Sequence, residues 1–105
     1  MEEIYVDCNE MEWTPSMDYP EGTMVKILRD YEGKKTILLK LPPGFKMEAH
    51  SHVSVEQHYV LEGQYEVEGH VYGPATYQLF PPGYTHGPFT SEKGALVLVI
   101  WDPMQ

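Results

Sequence analysis

The sequence predicts an all-β fold, a sandwich or small barrel, and three observations carry that prediction. Nine glycines and nine prolines punctuate the chain, leaving between them short segments rich in Val, Ile, Leu, Tyr and Phe. Within those segments many apolar residues alternate with period two, and no longer window keeps the 3.6-residue repeat of an amphipathic helix. The chain has 105 residues, of which 42% are hydrophobic. That suffices for one core and for a single domain, which usually needs ~100–150 residues.

Taken in order, residues 1–19 contain Trp13 and several acidic side chains but show the weakest pattern. They are read as an N-terminal edge strand and loop ahead of a core spanning about 20–102. Strands are expected at residues 24–28 (MVKIL), 35–41 (KTILLKL), 58–61 (HYVL), 64–68 (QYEVE), 76–80 (TYQLF) and 95–101 (ALVLVIW). In QYEVE, Tyr65 and Val67 point one way and the polar residues the other. The last segment is apolar on both faces, so both are expected to be covered, one by the core and one by a partner chain.

Charge excludes whole classes of partner. Sixteen acidic and seven basic side chains give −9 with histidine neutral, a field that repels nucleic acid and anionic membrane surfaces alike. No apolar run approaches the ~20 residues of a membrane span. The start, Met1-Glu2-Glu3, lacks the basic and apolar stretches of a secretion signal. Cys8 is the one cysteine, so the fold does not rely on an internal disulfide. A cytoplasmic protein is the expectation.

The chemistry-bearing residues are histidines. His50 and His52 are two apart, and on a strand both rings project from one face, roughly 7 Å apart at the backbone. Glu56 follows after three residues, room for a tight connection that returns a carboxylate beside them. His86 comes after Pro81-Pro82-Gly83, a rigid turn able to aim a fourth group. Three neutral imidazoles and one carboxylate suit a divalent ion and leave two octahedral positions open, as a catalytic site requires.

Here the sequence resembles the cupins. Residues 44–63 (GFKMEAHSHVSVEQHYVLEG) fit the first cupin motif, G-x5-H-x-H-x3-E-x6-G, at every specified position. Residues 75–90 (ATYQLFPPGYTHGPFT) follow the second, G-x5-P-x-G-x2-H-x3-N, through Pro81, Gly83 and His86. Ala75 replaces its first glycine and Thr90 its asparagine. The resemblance implies a double-stranded β-helix, a jelly-roll barrel with a metal near one mouth. It makes His50, His52, Glu56 and His86 the expected ligands of one divalent metal ion, whether Fe, Mn, Zn or Ni. The spacing is most similar to the cupin domain of ChrR-type anti-sigma factors and to acetylacetone-cleaving dioxygenase-like proteins. No N-terminal helical domain of the anti-sigma kind is present in the sequence, which points to a free-standing cupin, and the resemblance also implies a homodimer.

His58 is the informative extra histidine. Two residues from Glu56, it shares that residue's inward face on a strand. It has three functional readings: a hydrogen-bond partner that orients Glu56 or a bound water, a general base, or a ligand in place of Glu56. The fourth reading is a core histidine with one hydrogen bond. Glu48, two residues before His50, is read as lining the same mouth or sitting exposed on its rim. His70 is read as a surface turn residue.

Between Lys46 and Lys93 there is no basic residue but there are six acidic ones. An anionic substrate is therefore disfavoured, with only Lys26, Arg29, Lys35, Lys40 or Lys46 able to hold it. Tyrosines and phenylalanines supply an apolar lining, pointing to a small neutral or metal-chelating substrate such as a diketone or phenol. Two functions stand: an Fe(II) dioxygenase-type metal enzyme, and a non-catalytic metal- or ligand-binding sensor.

Overall fold

The structure is a computed structural model that describes residues 1–51 and 53–102. Among the described residues the regular elements are ten strands and one short 3₁₀ turn, Cys8–Glu10. The strands are β1 (Thr14–Pro15), β2 (Met24–Tyr31), β3 (Lys34–Leu41), β4 (Phe45–Met47), β5 (Val55–Gly63), β6 (Tyr65–Val67), β7 (His70–Tyr72), β8 (Tyr77–Phe80), β9 (Phe89–Ser91) and β10 (Ala95–Asp102). A six-stranded antiparallel sheet in the order β1-β2-β3-β10-β5-β8 faces a four-stranded one in the order β4-β9-β6-β7. The all-β, double-stranded β-helix reading holds. Each of the six expected strands is present, four of them longer than expected, and β4, β7 and β9 are additional. These three have only three residues each, too few for alternation to register.

Alternation decides what each strand buries. β3 turns Ile37, Leu39 and Leu41 inward, β10 turns Ala95, Val97 and Val99, and β6 turns Tyr65 and Val67. The register aligns these rows: Val99 lies between Ile37 and His58, and Val97 between Leu39 and Val60. Phe45, Phe80 and Phe89 complete one core cluster. Val60 and Val99 are fully buried, both at 0% exposure.

One end of the barrel is locked by backbone packing. Gly63 closes β5 at φ +71°, where a Cβ would stand 2.3 Å from the Gly94 carbonyl oxygen and 2.8 Å from the Ala95 Cα. No larger residue fits there without moving the chain. Ser91 ties the same end, its hydroxyl donating to the Gln64 carbonyl at 2.6 Å and accepting from the Gly94 amide at 3.1 Å. Ala75, standing where the second motif has glycine, adopts φ +69°. The left-handed turn is kept despite the methyl group, at a cost of about 1 kcal/mol.

Near the N-terminus β1 pairs with β2. Upstream, Lys26 donates to the Cys8 carbonyl at 2.6 Å and lies 4.5 Å from the Trp13 ring centre. Lys40 sits over the same ring at 5.7 Å. These cation–π contacts hold residues 8–13 against the outer face of the six-stranded sheet.

Candidate functional site

At the opposite end the barrel interior is polar. β5 directs Glu56 and His58 inward, 2% and 8% exposed. Register sets Glu56 between Trp101 of β10 and Phe80 of β8, and His58 between Val99 and Gln78. The Glu56 carboxylate accepts from both sides, from Trp101 Nε1 at Oε1 and from His58 Nε2 at Oε2, each at 2.5 Å. Burying such a group is tolerable because both oxygens are hydrogen-bonded. His58 Nδ1 lies 3.1 Å from Tyr65 Oη, so its ring meets polar groups on both sides.

His50 and His86 come from loops rather than strands. His50 is joined to His86 by an isolated antiparallel bridge. Its two backbone hydrogen bonds measure 2.9 and 2.8 Å. The bridge brings the two imidazoles edge to face, 4.5 Å between centres. Each ring is fixed by a local carbonyl: His50 Nδ1 lies 3.0 Å from Glu48 O, and His86 Nδ1 lies 3.2 Å from Tyr84 O. A carbonyl can only accept, so both rings carry their proton on Nδ1 when neutral, and the Nε2 lone pairs face away from these carbonyls. His86 Nε2 is 3.9 Å from Glu56 Oε2. Phe80 and Phe89 flank His86, with ring centres at 4.3 and 5.5 Å.

His50, Glu56 and His86 are thus brought to one end of the barrel, with His58 behind Glu56. His52 lies outside the described residues. Among the described residues no three His, Cys, Asp or Glu side chains gather tightly enough to hold a metal ion by themselves. The donor chemistry nevertheless fits one: imidazoles held through Nδ1 by backbone acceptors offer Nε2, the arrangement typical of metal-binding histidines. His70 is exposed as expected, but it opens β7 rather than sitting in the turn.

Beside His50 opens a cavity of about 760 Å³, lined among others by Tyr19, Lys35, Glu48, Val53 and Trp101. Glu48 satisfies both of its readings, being exposed and on the rim. Lys35 is the early-strand cation that reaches this cavity, 5.4 Å from the Trp101 ring centre. Lys26 and Lys40 are engaged on Trp13 instead. Tyr19 lies parallel to Trp101 at 6.4 Å. Burial first, then the charges of Glu56 and Asp18, push the Tyr19 pKa well above that of an ordinary phenol. Sequence reasoning missed Tyr19 and Trp101. Trp101 was within reach, since it continues the inward series Ala95, Val97, Val99. Tyr19, in a segment without alternation, left no such signal.

The fold and this constellation define a cupin. The family described as the ChrR cupin-like domain matches residues 1–105, and the chain belongs to it. Among solved structures, an acetylacetone dioxygenase from Acinetobacter johnsonii superposes with a TM-score of 0.82 at 17% identity, over 96% of this chain and 74% of that one. An RmlC-like cupin from Shewanella frigidimarina gives 0.81 at 18% identity, over 99% and 94%. A chain of the Rhodobacter sphaeroides complex of SigE with the anti-sigma ChrR gives 0.74 at 20% identity, over 91% of this chain and 52% of that chain. No curated protein matches the sequence.

Proposed function

We propose that this chain is a metal-dependent cupin in which His50, His52, Glu56 and His86 hold one divalent ion, serving a dioxygenase-type reaction on a small neutral or chelating substrate. The observation that carries the reading is the His50–His86 bridge, with both Nδ1 atoms engaged by carbonyls beside the buried Glu56. Such an ion supplies Lewis acidity toward a substrate bound through two oxygens and, when redox-active, electron exchange with O2. The protein's own residues orient and shield. Trp101 and His58 aim the Glu56 carboxylate, Phe80 and Phe89 exclude water around His86, and Tyr19 with Trp101 forms a flat apolar wall of the cavity. Three carboxylates, Asp18, Asp30 and Glu48, line that cavity against one ammonium, Lys35. This balance supports a neutral substrate over a multiply charged anion.

We take the chain as a single cupin domain working in the cytoplasm as a homodimer. Supporting the dimer, Leu38, Leu98, Tyr59 and Tyr77 are register neighbours across four strands. They form an apolar row on the outward face, where Leu61 and Leu79 are 40% and 50% exposed. Sedimentation at micromolar concentration should show twice the chain mass, and a monomer would remove this element.

The test of function is iron reconstitution followed by oxygen consumption with diketones and phenols. Uptake that depends on substrate and iron supports the enzyme. Tightly held zinc with no uptake after reconstitution would instead support the sensor reading, and absence of any bound metal would overturn both.

A further inference from the structure

Tyr19 stands where three spaces meet. It borders the cavity of about 760 Å³ beside His50, a cleft of about 180 Å³ over β2, and a pocket of about 20 Å³ inside the barrel. The inner pocket lies against Glu56, His58, Tyr65 and Phe89. A space of that size holds one water and no organic group larger than a methyl. Among the described residues, Tyr19 and Met47 border both the inner pocket and the outer cavity, so these two side chains divide them. Trp101 borders the outer cavity, bonds Glu56 through its indole nitrogen, and lies parallel to the Tyr19 ring at 6.4 Å between centres. Tyr19 therefore fills the place beside Trp101 that a ligand's ring would take on its way toward Glu56.

The loop that carries Tyr19 is tied at its ends. Ser16 N donates to the Thr23 carbonyl at 2.9 Å, Thr23 N donates to the Pro20 carbonyl at 3.1 Å, and Asp18 N donates to Ser16 Oγ at 3.2 Å. Met17 is 93% exposed and Asp18 is exposed beside it, whereas Tyr19 turns in and packs against the core. A closed loop thus presses one large ring between an open cavity and a nearly filled interior.

We propose that Tyr19 is the size-determining residue of the site: it accepts a ligand whose inward substituent is a methyl group and rejects one that carries a phenyl ring there. The ligand class rests on the metal-dependent reading above; where the ligand must stop rests on the packing of Tyr19 alone. Deleting the ring joins the inner pocket to the outer cavity and opens a space with the shape of the lost phenol.

The first test needs no metal. In metal-free Tyr19→Ala, p-cresol, which has the shape of the deleted side chain, should bind saturably and change Trp101 fluorescence, read in a Trp13→Phe background. The natural chain and Tyr19→Phe should bind it at least about tenfold more weakly. Tyr19→Val takes the place of the alanine variant should that one fold poorly. No binding of p-cresol to the small variant, or equal binding by the natural chain, overturns the proposal. The second test measures acetylacetone and dibenzoylmethane, which has a ring at either end, on Zn²⁺-loaded protein by calorimetry. The natural chain should prefer acetylacetone at least about tenfold, and Tyr19→Ala should bring the two within about threefold. An unchanged preference in that variant, or none in the natural chain, overturns the size role. If neither diketone binds any Zn²⁺-loaded form, the chelating-substrate reading falls and the p-cresol result alone decides this inference.

Discussion

β5 serves two ends of the barrel differently. Its first half turns Glu56 and His58 inward, and two residues later it turns Val60 inward. β10 runs antiparallel beside it and repeats the contrast, with Trp101 against Glu56 and Val97 against Val60. The apolar end is close-packed and pinned by Gly63 against Gly94, and it carries the stability of the fold. The polar end buries groups whose hydrogen bonds roughly offset their desolvation, so it adds little stability and is where the proposed site lies. One strand pair thus separates the two tasks by parity and position alone.

That division is broken most directly at Gly63. Gly63→Ala should cost roughly 3 kcal/mol in urea denaturation, through both the positive φ and the clash with Gly94. A loss below about 1 kcal/mol would mean that the end is not rigid. Val99→Ala should cost about 2 kcal/mol, from lost burial and the cavity left behind. In metal-free protein His50→Ala should cost under about 1 kcal/mol by the same measurement; a loss equal to that of Val99→Ala would erase the contrast between the ends. Ala75→Gly should gain about 0.5–1 kcal/mol by relieving the left-handed alanine.

The smallest effect is confined to alkali. Tyr19 and Tyr65 have folded-state pKa values raised above the ordinary phenol value. Their contribution is fully present below the unfolded value near ~10 and is lost as pH rises beyond it. Stability should therefore be flat in these two groups up to that point and fall above it, less steeply in Tyr65→Phe. An equally steep fall in that variant would show that Tyr65 is not the group responsible.

The fold was legible because the longer strands alternate and glycines mark their ends, as at Tyr65–Val67 and Gly63. β4, β7 and β9 were not legible, since their pairing comes from the opposite sheet edge rather than from their own three residues. Glu56 stood out by its spacing after His50 and His52, and His58 by sharing the parity of Glu56. The setting of His50 was not legible because it depends on His86, 36 residues away, through a single bridge. Tyr19 gains meaning only from a long-range contact, against Trp101. No local pattern encodes that.

The central claim is that the histidine end of the barrel holds a metal ion, and metal stoichiometry tests it most directly. The natural chain and His50→Ala/His52→Ala should be loaded with Fe²⁺ or Zn²⁺ in parallel, desalted, and measured by elemental analysis. About one ion per chain in the first and almost none in the second is the predicted result. A full equivalent retained by the double variant would contradict the account.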